Sequence, residues 1–388
     1  MRGLSYNGAR RLGSAERLDQ IHLPLIPNHG TLQATYGRNR GHLMQSHLRR
    51  LAACAAALAL LLVAGTSGNA RAATALPAHV YAPYFETWTT DSIATLAQQS
   101  GSKYFTLAFL ESLNKRSCTL AWNGSSSQTV AAGRYLSDIA ALRSTGGDVV
   151  LSLGGWSADQ GGTEIADSCS DPQQIAAAYE SAITTYNVSR LDMDVEGRSL
   201  TNSAGIDRRN KAIKLVEDWA MAHARPLQIS YTIPTSASGL ESSGVAILQN
   251  AIANSARIDV VNIMAFDYYD HVTTHMGAAA ESAATGTVAQ LHQLYPSKTT
   301  AQLWAMVGIT IMPGIDDYPK KTEVTTVADA QNLVAFAKAN GVNTLSAWAI
   351  QRDNGGCPGN GGANNCSGIA QNTWDFSHAM EPFTGSYA

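Results

Sequence analysis

The segment NVSRLDMDVEG, residues 187–197, places Asp192, Asp194 and Glu196 on every second position and separates them with Leu191, Met193 and Val195. In an extended strand alternate side chains share a face, so the acids line one side and the apolar residues the other. Such a strand needs a hydrophobic layer against one face and a place for carboxyls on the other. Neighbouring same-face carboxyls lie roughly 6 to 7 Å apart from the strand rise. At an effective dielectric of about 20 their repulsion is about 2 to 3 kcal/mol, equivalent to about two pKa units. The three acids therefore do not all ionise at neutral pH, and a proton retained in the cluster is what a general acid requires.

Seven further apolar, β-rich runs accompany this one. With SRLDMDVE (189–196) in fourth place, the series is HVYAPYF (79–85), KYFTLAFL (103–110), DVVLSLGG (148–155), then LQISYTIP (227–234), IDVVNIMAFD (258–267), LWAMVGITI (303–311) and TLSAWAIQ (344–351). Helix-length, Ala-rich stretches lie between most of them, at 133–144, 172–186, 207–223, 241–254, 286–294 and 327–339. Asp171-Pro172 offers an N-cap and a first-turn proline, and Gly146-Gly147 stops the preceding helix. Eight alternating units predict an α/β fold, a (β/α)₈ TIM barrel. A doubly wound sheet would carry a Gly-rich phosphate turn after its first strand, where this chain has Glu86-Thr87-Trp88. In the barrel, Leu191, Met193 and Val195 face the helices. The acids then point inward at the strand's C-terminal end, where barrel enzymes build their active sites.

The 388 residues divide unevenly. Residues 47–75 have a basic start at Arg49-Arg50, an apolar run from Leu51 to Ala64 and the small-x-small sequence Ala70-Arg71-Ala72, the pattern of a secretory signal. The apolar run is shorter than a membrane span needs. Residues 1–72 are thus expected to be an N-terminal extension and signal peptide, with Met44 a plausible true start, and residues 73–388 a single catalytic barrel exported from the cell. Four cysteines remain after the leader. Cys357 and Cys366 bracket the loop PGNGGANN, which a local disulfide would close, leaving Cys118 to pair with Cys169. No Cys-x-x-Cys or adjacent His pair suggests zinc. A net charge of −3 without a basic block after the leader argues against nucleic acid as a partner. No membrane partner is implied, and a monomer is expected.

Rival readings of the acidic strand are a solvated strand face, a Ca²⁺ or Mg²⁺ site built from carboxylates, and an aspartyl-phosphate phosphatase. The first conflicts with a barrel strand whose polar side faces inward. The last expects Thr or Val two residues after the second aspartate, where Glu196 stands.

Asp192-Met193-Asp194-Val195-Glu196 on strand four and Ser152-Leu153-Gly154-Gly155 on strand three, taken together, resemble the family 18 glycoside hydrolases, the chitinases and their relatives. Tyr84 ending strand one, the Met264-to-Asp267 segment and Trp348 on strand eight agree. The segments Ile206–Asn210 and Gln351–Cys357 look like those of secreted bacterial chitinases of actinomycete type. The resemblance implies a retaining, substrate-assisted mechanism rather than the usual pair of enzyme carboxylates. Glu196 would be the general acid and then base. Asp194 would orient the substrate's 2-acetamido group, whose carbonyl oxygen attacks C1 to give an oxazolinium ion, and Asp192 would share a proton with Asp194. Ser152 is implied as a partner of the buried aspartate. Gly154 and Gly155 would let backbone approach the sugar, Trp348 would floor the cleavage point, and Tyr84, Met264 and Asp267 would line the substrate. Trp88 and Trp156 would either stack on outer sugars or pack the loops. No metal or cofactor is implied.

Two positions depart from the family pattern. Ser189 stands where many members have Asp, with a structural consequence expected. Phe266 stands where a tyrosine hydroxyl normally bonds the acetamido carbonyl, so that Tyr268, or else Tyr269 or Tyr231, is expected to supply it. The implied function is hydrolysis of β-1,4-linked N-acetylglucosamine polymers. The absence of a long insertion after strand seven suggests an open groove and endo cleavage. Alternatives are an endo-β-N-acetylglucosaminidase acting on N-glycans and a non-catalytic chitin-binding lectin, against which Glu196 speaks.

Overall fold

The computed structural model describes residues 74–360 and 364–385, so the expected extension and signal segment lie outside the described residues. The first strand, β1, comes in two pieces, Val80–Tyr81 and Tyr84–Glu86. Pro83 lies between them and has no N–H for a ladder. The strands that follow are β2 (Tyr104–Ser112), β3 (Asp148–Gly154), β4 (Arg190–Asp194), β5 (Gln228–Ser236), β6 (Val260–Met264), β7 (Val307–Ile311) and β8 (Thr344–Ala347). Each pairs in parallel with the next. Val80 and Tyr81 pair with Thr344 and Leu345 of β8, and Tyr84–Glu86 with β2, so β1 closes the cylinder.

The connecting helices are α1 (Ile93–Ser100), α2 (Leu136–Ser144), α3 (Pro172–Tyr186), α4 (Ser203–Ala222), α5 (Ser242–Ala253), α6 (Met276–Leu294), α7 (Val327–Asn340) and α8 (Asp375–Met380). Local chemistry sets their ends. Asp171 accepts the Gln173 N–H ahead of Pro172, as its sequence suggested. Ser92 caps α1 and left-handed Gly101 ends it, a helix the apolar spacing did not reveal. The expected helix at 286–294 begins ten residues earlier, at Met276. Gly286 lies inside it because a Cβ there would meet the Ser238 carbonyl oxygen at 1.9 Å. The start of the expected seventh strand is instead a short helix, Thr300–Trp304, closed by a Thr299–Gln302 capping box.

Strand periodicity separates two environments. Leu191, Met193, Val195, Ile229, Ile233, Val261, Ile263, Val307, Ile309 and Leu345 are buried in the layer between barrel and helices. Facing inward are polar side chains. Arg190 donates to Thr344 (2.8 Å) and Asn343 (2.9 Å), and Asn262 to Thr232 (2.9 Å) and Thr310 (2.8 Å). A hydrogen-bonded polar lumen of this kind can seat a carboxylate that an apolar core would expel.

Candidate active site

Asp192 lies deepest of the three acids and is 2% exposed. Its Oδ2 accepts from Tyr84 Oη at 2.9 Å and Ser152 Oγ at 2.7 Å, and its Oδ1 from Ser230 Oγ at 2.6 Å and Thr232 Oγ1 at 2.7 Å. Four strands, β1, β3, β4 and β5, thus converge on one carboxyl. Two residues on, Asp194 is equally buried, but its Oδ1 has no hydrogen-bond partner. Among the described residues no hydrogen bond joins the two aspartates. Burial, reinforced by Glu196, Asp192 and Asp159, holds the Asp194 carboxyl well above the usual carboxylate range. Glu196 lies just past the end of β4 with extended backbone. Desolvation pushes its pKa up to about 7, and the Trp156 N–H partly offsets that rise. A half-buried acid poised at neutrality can give a proton and take one back.

A fourth acid belongs to the cluster, and the strand pattern gave no signal of it. Asp159 sits on the short helix Trp156–Gly161 that follows the glycine pair, is 1% exposed, and accepts the Glu196 backbone N–H through Oδ2. Burial and the nearby Glu164 raise its pKa to about 9.

An aromatic wall meets these acids at Tyr84. Its hydroxyl holds Asp192, and its ring lies 5.4 Å from Trp348 and 6.2 Å from Phe109. Phe109 and Trp348 stack at 5.5 Å with planes 15° apart, and Trp88 stacks on Phe109 at 6.4 Å. Tyr84, Phe109 and Trp348 form an apolar cluster separate from the main core. Trp88 is 46% and Trp156 59% exposed. Phe109 was missed because strict alternation from Phe105 and Leu107, which are buried in the main core, assigns it to the helix side. A register shift between Leu107 and Leu110 turns it instead into the cluster with Tyr84 and Trp348, and such a shift leaves no trace in the spacing.

Gly154 and Gly155 have a packing reason of their own. A Cβ on Gly154 (φ +105°) would meet the Asp194 carbonyl oxygen at 2.1 Å, and one on Gly155 (φ +84°) the Phe109 ring at 2.5 Å. The pair lets β3 close on β4 and on the aromatic wall. Ser189 Oγ bonds the Thr74 carbonyl at 2.8 Å, a structural contact away from the acids.

At the end of β6, Met264 is buried on the inward parity shared with Asn262. Asp267 has φ +51° and a buried Oδ1 without a partner. Burial, then Asp316, Asp317 and Glu323, raise its pKa to about 8. Glu323 accepts the N–H groups of Tyr268 (2.8 Å) and Tyr269 (3.0 Å). The Tyr268 hydroxyl is buried without a partner and its ring packs against the main core, while Tyr231 faces the helices and donates to Asn210 at 3.0 Å. None of these three hydroxyls hydrogen-bonds to the strand-four acids among the described residues; Tyr84 does. Among the described residues no group of three or more His, Cys, Asp or Glu is arranged to hold a metal ion. Cys118 is bonded to Cys169 and Cys357 to Cys366.

A parallel barrel whose mouth joins acids with unusually retained protons to a partly exposed aromatic wall is built for acid-base work on a ring-shaped substrate. The sequence model of glycosyl hydrolases family 18 matches residues 80–323, and the chain belongs to that family. It is 33% identical over 289 residues to a probable bifunctional chitinase/lysozyme of Escherichia coli (strain K12), covering 72% of this chain and 31% of that protein. It is 32% identical over 289 residues to endochitinase 11 of Metarhizium anisopliae, covering 72% of this chain and 53% of that one. The chain therefore spans about a third to a half of these relatives. Among solved structures, active domain 2 of the chitinase from Pyrococcus furiosus, in catalytic-site mutant form, superposes with a TM-score of 0.70 at 30% identity, covering 80% of this chain and 96% of that one.

Proposed function

We propose that the protein is a secreted chitinase that hydrolyses β-1,4-linked N-acetylglucosamine polymers with retention, through the substrate's own acetamido group. The observation that carries this reading is Tyr84, which ties Asp192 to Trp348 and so puts the acids and an aromatic surface at one barrel mouth. A flat ring suits the axial C–H face of a pyranose, and Trp348 is partly open to receive it.

In the first step Glu196 gives its proton to the glycosidic oxygen, the C1–O bond breaks, and the acetamido carbonyl oxygen bonds C1. Asp194 Oδ1, buried without a partner, is the acceptor an acetamido N–H would satisfy. Positive charge on the oxazolinium ion beside it favours ionised Asp194. Water then bonds C1 from the face the leaving group vacated and passes a proton to Glu196, while the bond from C1 to the acetamido oxygen breaks, which restores the acetamide and the enzyme and leaves a β-anomer. Export rests on the signal-like pattern of residues 47–75.

The test is hydrolysis of a chitin oligomer by wild type and Glu196→Gln, with the product anomer followed by proton NMR. Expected are initial β-anomer and a loss of about 10²- to 10⁴-fold in the variant. Initial α-anomer, or an active Glu196→Gln enzyme, would overturn the reading.

A further inference from the structure

Asp159 is an acid that neither the family resemblance nor the acetamide-assisted route uses. It is buried on the helix Trp156–Gly161, whose start follows directly from the glycine pair at the end of β3. Its Oδ2 takes the backbone N–H of Glu196, and its own N–H donates to the Gly155 carbonyl at 3.0 Å. The neighbouring Gln160 side chain lies against Gly197, where an added Cβ would meet Nε2 at 2.5 Å. The helix therefore braces the turn immediately after the glutamate. On the far side stands Arg209, paired with Glu164 at 3.0 Å in an ion pair only 1% and 2% exposed. Glu164 in turn accepts the N–H groups of Ala166 and Asp167, so the pair is anchored in backbone.

We infer that Asp159 is a positioning residue: by accepting the Glu196 N–H, while its own N–H is held by the Gly155 carbonyl, it fixes the glutamate where its carboxyl reaches the glycosidic oxygen. The residue touches no substrate and acts through Glu196. A backbone N–H fixed at this point sets the direction in which the glutamate side chain leaves the strand end, and a misplaced proton donor costs rate even where substrate still binds. This inference rests on the role proposed for Glu196.

The charges that act on Asp159 are Glu164, Arg209, Glu196 and Asp194. With an acceptor oxygen in place the geometry holds whether or not that oxygen carries a proton. Asparagine at this position retains an acceptor of the same size; leucine has the same outline and none.

The experiment compares kcat/KM for Asp159→Asn and Asp159→Leu on a chitin tetramer, whose leaving group is a sugar, and on a chitobioside of 2,4-dinitrophenol, whose leaving group departs with little acid assistance. Because kcat/KM reports only steps through the first bond cleavage, a misplaced donor penalises the first substrate alone. Asp159→Leu is expected to lose about 30- to 100-fold on the tetramer and less than about 3-fold on the dinitrophenyl substrate, with Asp159→Asn within about 5-fold of wild type on both. Equal losses on the two substrates would mark a merely structural residue and overturn the inference, as would a fully active Asp159→Leu enzyme. Should the leucine variant not fold, Asp159→Ala is read by the same ratio of substrates. Glu196→Gln run alongside separates the two claims: if it shows no leaving-group dependence, the role of Glu196 itself fails, whereas a leaving-group dependence confined to Glu196→Gln sinks only the role of Asp159.

Discussion

Asp192 and Asp194 occupy successive inward positions of β4, yet four hydroxyls fill the acceptor sites of the first while Oδ1 of the second is buried and unpartnered. An unmatched buried acceptor is costly unless something arrives to satisfy it. In the proposed mechanism Asp194 is the position where substrate completes the site. Asp194→Asn, which offers an amide without a negative charge for the oxazolinium, is expected to lower kcat by about 10²- to 10³-fold with KM changed far less. Steady-state kinetics on a chitin oligomer decides; a rise in KM with kcat intact would make Asp194 a ground-state binder.

The acids set a pH dependence whose sign can be worked out. Glu196, with its pKa up to about 7, can fill the proposed role of proton donor only while protonated, so kcat/KM is expected to fall as pH rises through about 7. Stability runs the same way. Glu86, Asp267 and Asp159 are held by burial at about 8, about 8 and about 9, above their values in the unfolded chain. The folded state binds these protons more tightly, so the stability they contribute is complete below the unfolded carboxyl range and is lost as pH climbs through the folded values. The melting temperature is expected to be higher at about pH 5.5 than at about pH 9. A higher value at the alkaline end would mean that these carboxyls ionise against cations instead.

The aromatic wall should affect substrate more than fold. Trp348 is partly open and belongs to the small cluster with Tyr84 and Phe109 rather than to the main core. Losing the apolar contact that an aromatic ring makes with a sugar is worth about 1.5 to 3 kcal/mol, so Trp348→Ala is expected to reduce kcat/KM by roughly 10- to 100-fold. Phe109→Ala should follow in weaker form, because the ring supports Trp348 from 5.5 Å. Kinetics paired with thermal unfolding checks this, and a collapse of the melting temperature with unchanged kinetics would return both rings to a packing role.

Much of this was legible because strand alternation is a strong physical rule. Asp192 and Asp194 point inward and Leu191 and Met193 outward, as their spacing demanded. The eight units were countable because each strand run is apolar and bounded by helix stops. What escaped depends on contacts between segments distant in sequence. The reason for Gly154 is a carbonyl oxygen of Asp194, and the partner of Asp159 is the backbone of Glu196. Neither leaves a periodic trace. Tyr268, expected to take over the acetamido bond that Phe266 cannot make, keeps a buried hydroxyl without a partner, and its backbone is set by Glu323, a contact distant in sequence.

The two disulfides should differ in weight, and the difference is calculable from chain length. Cys118–Cys169 closes a separation of 51 residues and Cys357–Cys366 one of 9. If cross-links act mainly by restricting the unfolded chain, these correspond to about 4 and about 2.6 kcal/mol. The longer bridge also ties the chain ahead of the short strand Leu120–Trp122 to the residue that ends the helix Ile165–Ser168, which Glu164 caps while pairing with Arg209. Replacing Cys118 and Cys169 together by alanine is therefore expected to lower urea-unfolding stability more than replacing Cys357 and Cys366, by about 1 to 2 kcal/mol, and to reduce kcat where the shorter bridge leaves it unchanged. Equal stability losses from the two double variants would mean that local strain or solvation, not loop closure, governs these bridges.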